Sequence, residues 1–319
     1  MSPEVVRPDV ACLGETMAML VPSDGLPLRR AAGFALTTAG AESNVARALV
    51  ELGTTAAWVS LVGDDVLGTR VLDDLTTAGV DVSLTRRRPG RTGFFLKDPD
   101  ERGSRVTYYR DGSAATRLGR ADVDRALAAG PRHLHLSGIT PALSASCRDA
   151  VAYALEAARE LGVTTSFDVN HRPVLWPGQA EAADVLGTLA RRADVVFTGL
   201  DEASALWGSS TPEDVRELLT GPGAVVVKNG GIDATCFAGD ERFTEPALPV
   251  SVVEPVGAGD AFAAGWLHGA LTGLPHPARL RLGHLLARAA LTALSDHFPM
   301  PRPPAELVRA AVAGPTPGS

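Results

Sequence analysis

The chain has 319 residues, 45% hydrophobic and 21% charged, with 33 glycines and 23 prolines, which predicts one large α/β domain, or a core with an appendage, punctuated by frequent turns. Thirty Lys and Arg against 37 Asp and Glu leave a formal net charge of -7, which disfavours nonspecific binding to nucleic acid or an anionic membrane while allowing a local basic pocket. Cys12, Cys147 and Cys236 are far apart and lack metal-pair or CxxC spacing; with no leader-like opening and no bilayer-length apolar run, a soluble cytoplasmic protein in a reducing compartment is expected.

In chain order, residues 10–13 and 56–62 are short apolar runs ending in polar residues, Gly14-Glu15 and Gly63-Asp64-Asp65, the pattern of buried strands. Between them, 43–52 places Val45, Ala46, Leu49 and Val50 on one helical face and stops at Gly53, completing a βαβ beginning. A second helix is expected over 67–75, leaving through Ala78-Gly79, and the arginines at 86–88 read as a solvated turn. Residues 91–110 predict two strands joined by a charged turn containing Asp98, Pro99, Asp100 and Gly103; paired with 31–38, this hairpin would cover a sugar-sized cleft, or it is an ungated edge hairpin.

Alternation then resumes. Strands are expected at 133–138, 163–170, 193–199 and 224–230, and helices at 146–162, 201–207 and 212–219, a rhythm that favours a predominantly parallel sheet covered by helices on both faces. His133 and His135 share one strand without a third ligand and read as structural. Helical patterns dominate from Asp260 to about Val312, and 313–319 reads as a frayed tail.

The sharpest chemical feature is EPVGAGDAFAAGWLHGAL at 254–271. Gly257 and Gly259 permit a tight backbone path, and the Ala-rich run after Asp260 forms a helix whose first turn offers free amides to a phosphate. Asp260 at that junction is placed to take a proton from an alcohol attacking a phosphoryl group; its local alternative is an N-cap aspartate.

Two stretches, TAGAESNVARALVELG at 38–53 and VVEPVGAGDAFAAGWLHG at 252–269, resemble the two signatures of the PfkB, or ribokinase-like, carbohydrate kinases, and the likeness covers nearly the whole chain. It implies a three-layer α/β/α fold over 1–319 with a small β lid built from about 15–38 and 88–112. It also implies Asp260 as catalytic base and Gly257, Ala258 and Gly259 as the anion hole. Glu254-Pro255 replaces the family's usual Asp-Thr, a change that bears on potassium activation. Glu202 resembles the acidic half of an Asn-x-x-Glu element that organises magnesium, directly or through water, with Gly199 in the Asn position; the alternative is a carboxylate solvating a helix start.

Within the family, the runs TGFF, VTYYRDGSA, LHLSGITPALS and FDVNHRPVLW resemble 2-keto-3-deoxygluconate kinases more than ribokinases. That resemblance assigns Phe95, Tyr108, Arg110 and Arg172 to the substrate, with the two arginines gripping the carboxylate of an acid sugar; surface ion pairs are the alternative. Gly40, Asn44 and Glu15 are expected near the sugar, with a helix-start role as the alternative for Asn44. Lys228, Gly230, Gly231 and His284 are expected on the nucleotide side. The implied reaction is magnesium-dependent transfer from ATP to the sugar's 6-hydroxyl, with other sugar kinases and a nonenzymatic sugar- or nucleotide-binding regulator as alternatives. A Rossmann dehydrogenase fits poorly, because no early GxGxxG is present. The hairpin also allows a homodimer or higher oligomer.

Overall fold

A computed structural model describes residues 7–100, 103–293 and 298–314. Its centre is an eight-stranded sheet. In chain order the strands are β1 (Val10–Leu13), β2 (Met17–Pro22), β3 (Phe34–Ala39), β4 (Ala56–Val59), β5 (Leu61–Gly63), β6 (Arg86–Arg88), β7 (Phe94–Asp100), β8 (Gly103–Tyr109), β9 (His133–Ser137), β10 (Thr164–Asp168), β11 (Val195–Gly199), β12 (Ala224–Asn229), β13 (Asp233–Ala238) and β14 (Glu241–Pro246). The central order is β14-β13-β12-β11-β10-β9-β1-β4. Every pairing from β4 to β12 is parallel, while β13 and β14 add on antiparallel.

Helices cover both faces, as near-continuous apolar parallel strands require. One face packs α3 (Arg120–Ala128), α5 (Ala145–Glu160), α6 (Gln179–Ala190), α7 (Leu200–Trp207) and α8 (Pro212–Leu218), with the short α4 (Thr140–Leu143) leading into α5. The other packs α1 (Ala41–Glu51), α2 (Val66–Thr77), α9 (Ala258–Leu271) and α10 (His276–Leu291), and α11 (Pro304–Ala313) lies against α10. Strand alternation divides the large side chains: Phe167 joins the first core and Phe197 the second, where its ring meets Trp266 edge-on with centroids 5.5 Å apart. Truncating either phenylalanine to alanine is worth roughly 3–5 kcal/mol.

The expected α/β/α layers and lid are present, with several local differences. The run over 56–62 divides at Ser60: β4 stays in the main sheet and β5 leaves it to pair with β6. The arginines of β6 are thus a short strand rather than a turn, and Arg86 forms an ion pair with buried Asp122. The hairpin of β7 and β8 forms, with 101–102 of its turn outside the described residues. It does not pair directly with the 31–38 segment, because β2 lies between them in a lid ordered β3-β2-β7-β8. That strand, Met17–Pro22, carries little alternation and escapes a pattern reading; so do the antiparallel β13 and β14. Of the expected tail, 315–319 lies outside the described residues. No helix among the described residues is long and apolar enough to cross a membrane.

Candidate active site

The carboxyl ends of parallel strands leave backbone groups and loop side chains facing one crevice, the usual place for a ligand in an open α/β sheet. Here β10 delivers Asp168, β11 delivers Gly199, β12 delivers Lys228, and α9 approaches them with its N-terminus. They enclose a cavity of about 910 Å³ whose lining includes Asp260, Gly257, Ala258, Gly259, Arg172, Lys228, Gly230, Gly231, Glu202 and His284. Each was expected on the phosphate, nucleotide or sugar side, and the tertiary structure brings them to one space.

Gly257 caps α9 with a φ of 82°, a left-handed backbone that a side chain would strain. The fourteen-residue helix begins immediately after it, so its first amides face the cavity end without intrahelical partners. Asp260, in that first turn, is buried, and Asn44 Nδ2 donates to its Oδ2 at 2.8 Å. Burial pushes the Asp260 carboxyl up to about 7; Asp168 adds to the rise, while the Asn44 hydrogen bond and the charges of Arg172 and Lys228 oppose it. A carboxylate titrating there is matched to accepting a proton near neutral pH.

Lys228 is more than a cleft wall. Its Nζ contacts Asp168 Oδ2 at 3.1 Å, and a Cβ built on Gly259 would lie 3.2 Å from that ammonium. Burial works against the Lys228 charge, but Asp168, Glu202 and Asp260 outweigh it and hold its pKa above the ordinary value. The positive charge therefore persists beside the loop that precedes α9. Glu202 lies in the same cavity with both oxygens engaged: Oε2 accepts from the Gly199 amide at 2.8 Å and Oε1 from the His171 amide at 2.9 Å. Burial and the neighbouring Asp168 raise its pKa. The helix-start role is thus realised at Glu202, alongside its place in the cavity.

Arg172 is half-exposed, its side chain 46% accessible, with the nearest carboxylate, Glu202, 4.0 Å away. Arg110 differs. It is buried, its Nε donates to Glu15 Oε2 at 2.9 Å, its Nη2 joins the same oxygen, and Ser113 Oγ donates to Glu15 Oε1 at 2.6 Å. Two of the donors expected to grip a substrate carboxylate meet a protein carboxylate here, so Arg110 and Glu15 are joined as an internal pair. Tyr108 stacks beneath the guanidinium, 5.5 Å from ring centroid to Cζ, and is partly exposed.

Three other expected sugar-side residues have clear packing roles. Phe95 is buried among Met17, Met19 and Ala39 in the lid core, beside its cross-strand partner Tyr108. Gly40 admits a close chain approach: a Cβ there would lie 2.4 Å from the Glu15 carbonyl oxygen. Asn44 is turned toward Asp260. On the nucleotide side, His284 Nε2 faces the Glu245 carbonyl oxygen at 3.1 Å and the ring packs edge-on against Phe262; paired with a carbonyl, that nitrogen is the donor, and burial lowers the ring's pKa.

Sequence reading passed over Glu42 and Lys97. Glu42 is fully buried, its Oε1 accepting from Ser137 Oγ at 2.7 Å and Thr140 Oγ1 at 2.9 Å, and burial raises its pKa. A Cβ on Gly14 would collide with its carboxyl group, which is why the β1 exit needs glycine. Glu42 lies within the 38–53 signature, but helix periodicity alone gives no signal that its charge points inward.

The pattern of pfkB family carbohydrate kinases matches residues 7–303. The chain belongs to the pfkB family of carbohydrate kinases. It is 39% identical over 299 residues to a 2-dehydro-3-deoxygluconokinase of Bacillus subtilis, covering 92% of each chain. A 2-dehydro-3-deoxygalactonokinase of Haloferax volcanii is 31% identical over 294 residues, covering 90% of this chain and 92% of the relative. A crystal structure of a PfkB protein from Polaromonas sp. JS666 superposes with a TM-score of 0.86 at 36% identity, covering 95% of this chain and all of that one. Family membership gives the chain its chemical class, that of an ATP-dependent phosphotransferase acting on carbohydrate.

Proposed function

We propose that this kinase acts on a deoxy-sugar acid and transfers the terminal phosphate of ATP to the 6-hydroxyl of 2-keto-3-deoxygluconate, giving the 6-phosphate and ADP. The observation that carries the reading is the shared cavity of Asp260, the Gly257–Gly259 loop, Lys228 and the half-exposed Arg172. In the reaction, Asp260 removes the hydroxyl proton as that oxygen bonds to the terminal phosphorus. The bond from phosphorus to the bridging oxygen breaks, and its electron pair leaves with ADP. The α9 amides and Lys228 stabilise charge on the moving phosphoryl group, while Arg172 supplies a planar donor fork for the sugar carboxylate.

The carboxylates of the cavity suit a nucleotide-borne magnesium ion. Asp168, Asp201, Glu202 and Asp260 line it, yet no group of three or more acidic, His or Cys side chains among the described residues is arranged to hold a metal. Magnesium retains much of its water and prefers phosphate oxygens plus one or two carboxylates; bound there, it would neutralise phosphate charge. Glu202, with both oxygens on backbone amides, would act on it through water.

The resemblance to both gluconate- and galactonate-type kinases supports an acid-sugar class. A screen with ATP and magnesium against 2-keto-3-deoxygluconate, its galactonate epimer, fructose and ribose tests the assignment. Highest kcat/KM on the gluconate acid is expected; strong fructose or ribose turnover with no acid-sugar activity overturns it, and ligand binding without ADP formation supports a regulator instead.

A further inference from the structure

One buried ion pair joins the small lid sheet to the chain that enters α9. Lys97 lies on lid strand β7, two residues beyond Phe95 and on the same inward face, and is only 3% exposed. Its ammonium pairs with Glu254, itself 8% exposed and three residues before Gly257. The other oxygen of Glu254, Oε1, accepts from the Val256 amide at 3.3 Å.

The segment held in this way has few other anchors. Residues 247–256 form no strand or helix, and Val252, Val253 and Val256 are exposed, with Val252 and Val256 at the wall of the cavity. Backbone contacts from Val253 and Glu254 to the Leu291 carbonyl oxygen, at 2.8 and 3.3 Å, fasten one edge. Glu254 fastens the other through its side chain. A lysine buried on an otherwise apolar strand face is costly unless its charge is matched. Its retention there therefore ties the position of the lid strand to the path of the chain entering the anion hole.

We propose that Lys97 is a positioning residue for phosphoryl transfer: from the lid, through Glu254, it sets the backbone at 254–257 and hence the aim of the α9 amides. This inference rests on the assignment of Gly257–Gly259 as the anion hole. Lys97 touches no reacting atom in this scheme, so its loss acts on turnover more than on sugar affinity. The pair also makes the phosphate side sensitive to where the lid stands, which links sugar enclosure to readiness for transfer.

The test uses the full chain with Lys97→Met, Lys97→Arg, Glu254→Gln and the Lys97→Met/Glu254→Gln double variant. Steady-state kinetics use whichever sugar the wild type turns over best, and hydrogen exchange is followed at the 253–259 amides. Lys97→Met is expected to lower kcat about tenfold or more while KM for the sugar changes less than about threefold. Exchange should quicken at 253–259 but not in the central strands. Lys97→Arg should recover most of the turnover, and the double variant should lose less than the product of the two single losses. A raised sugar KM with unchanged kcat, multiplicative single losses, or unaltered exchange at 253–259 would each overturn the proposal. If Lys97→Met does not fold, Lys97→Arg and Glu254→Gln carry the same comparison. If the wild type phosphorylates no acid sugar, the assigned substrate fails while the exchange measurement still decides the positioning role.

Discussion

The phosphate side of the cleft and its lid side both bury charge, but they use it differently. Around α9, Lys228 stands between Asp168 and the Gly257–Gly259 loop, Asp260 carries a raised pKa, and Arg172 remains half-exposed. Charge there, even where paired as in Lys228 and Asp168, lines the open cavity. Beneath the lid, Arg110 is consumed by Glu15, and Lys97 by Glu254. Charge there holds protein to protein. A sequence motif does not show whether an arginine is sealed inside the protein or borders the cavity, and that separates buried Arg110 from half-exposed Arg172, whose Nη1 donates to the His171 carbonyl oxygen at 3.2 Å.

Substitutions can break this comparison, beginning with the largest effect. Asp260→Asn is expected to cut turnover by roughly 10²–10⁴ while leaving the fold and most ligand binding intact, because it removes the proton acceptor and keeps the amides. Parallel measurement of ADP release, ligand binding and circular dichroism checks it; wild-type turnover in the folded variant would remove Asp260 from the role of base.

The arginines should then part company. Arg110→Ala leaves Glu15 buried without its cation, an imbalance worth roughly 3–5 kcal/mol, so a large fall in thermal midpoint is expected on every substrate background. Arg172→Ala should leave the midpoint nearly unchanged and weaken acid-sugar use by about 30-fold relative to any neutral sugar, with Lys only partly restoring it. Equal midpoints for the two variants would erase the division between free and consumed charge.

A pH profile sharpens the phosphate side. With Asp260 at about 7, its ionised, proton-accepting form grows as pH rises, so kcat/KM should climb through that region. The Asn44 hydrogen bond favours the ionised form; Asn44→Leu removes it and should move the rising limb to higher pH by about one unit. A shift to lower pH would show that Asn44 does not support the carboxylate.

A further pH effect lies away from the cleft, where His133 and His135 both bond to Ser166 Oγ, at 2.7 and 2.8 Å. Burial lowers each imidazole to about 3, with the His135 ring contributing at His133 and the Lys228 charge at His135. The unfolded chain binds protons at these groups near 6.5 and the folded chain does not, so their contribution to stability falls as pH drops from about 6.5 toward 3. Urea unfolding at pH 5 and 7 should show that decline, and His133→Asn/His135→Gln should flatten it.

Much of what lines the cavity is legible in the sequence. The GAGD turn announces itself because a left-handed glycine, a helix start and an acid fall within four consecutive residues, and local geometry is enough to link them. The strand ends carrying Asp168 and Lys228 were also visible as apolar runs stopping at polar residues. The roles of Asn44 and Glu15 were not, since Asn44 meets Asp260 across 216 positions and Glu15 meets Arg110 across 95.

The layered α/β architecture, the position of the GAGD turn and the acid at its end are written in the sequence, because hydrophobic period, glycine freedom and helix capping act over a few residues. Only folding makes β2 separate β3 from the hairpin, joins Glu15 to Arg110 and brings Lys97 to Glu254. The physical reason is that a buried charge is defined by its partner and its dielectric surroundings, and both are supplied by chain segments that only folding brings together.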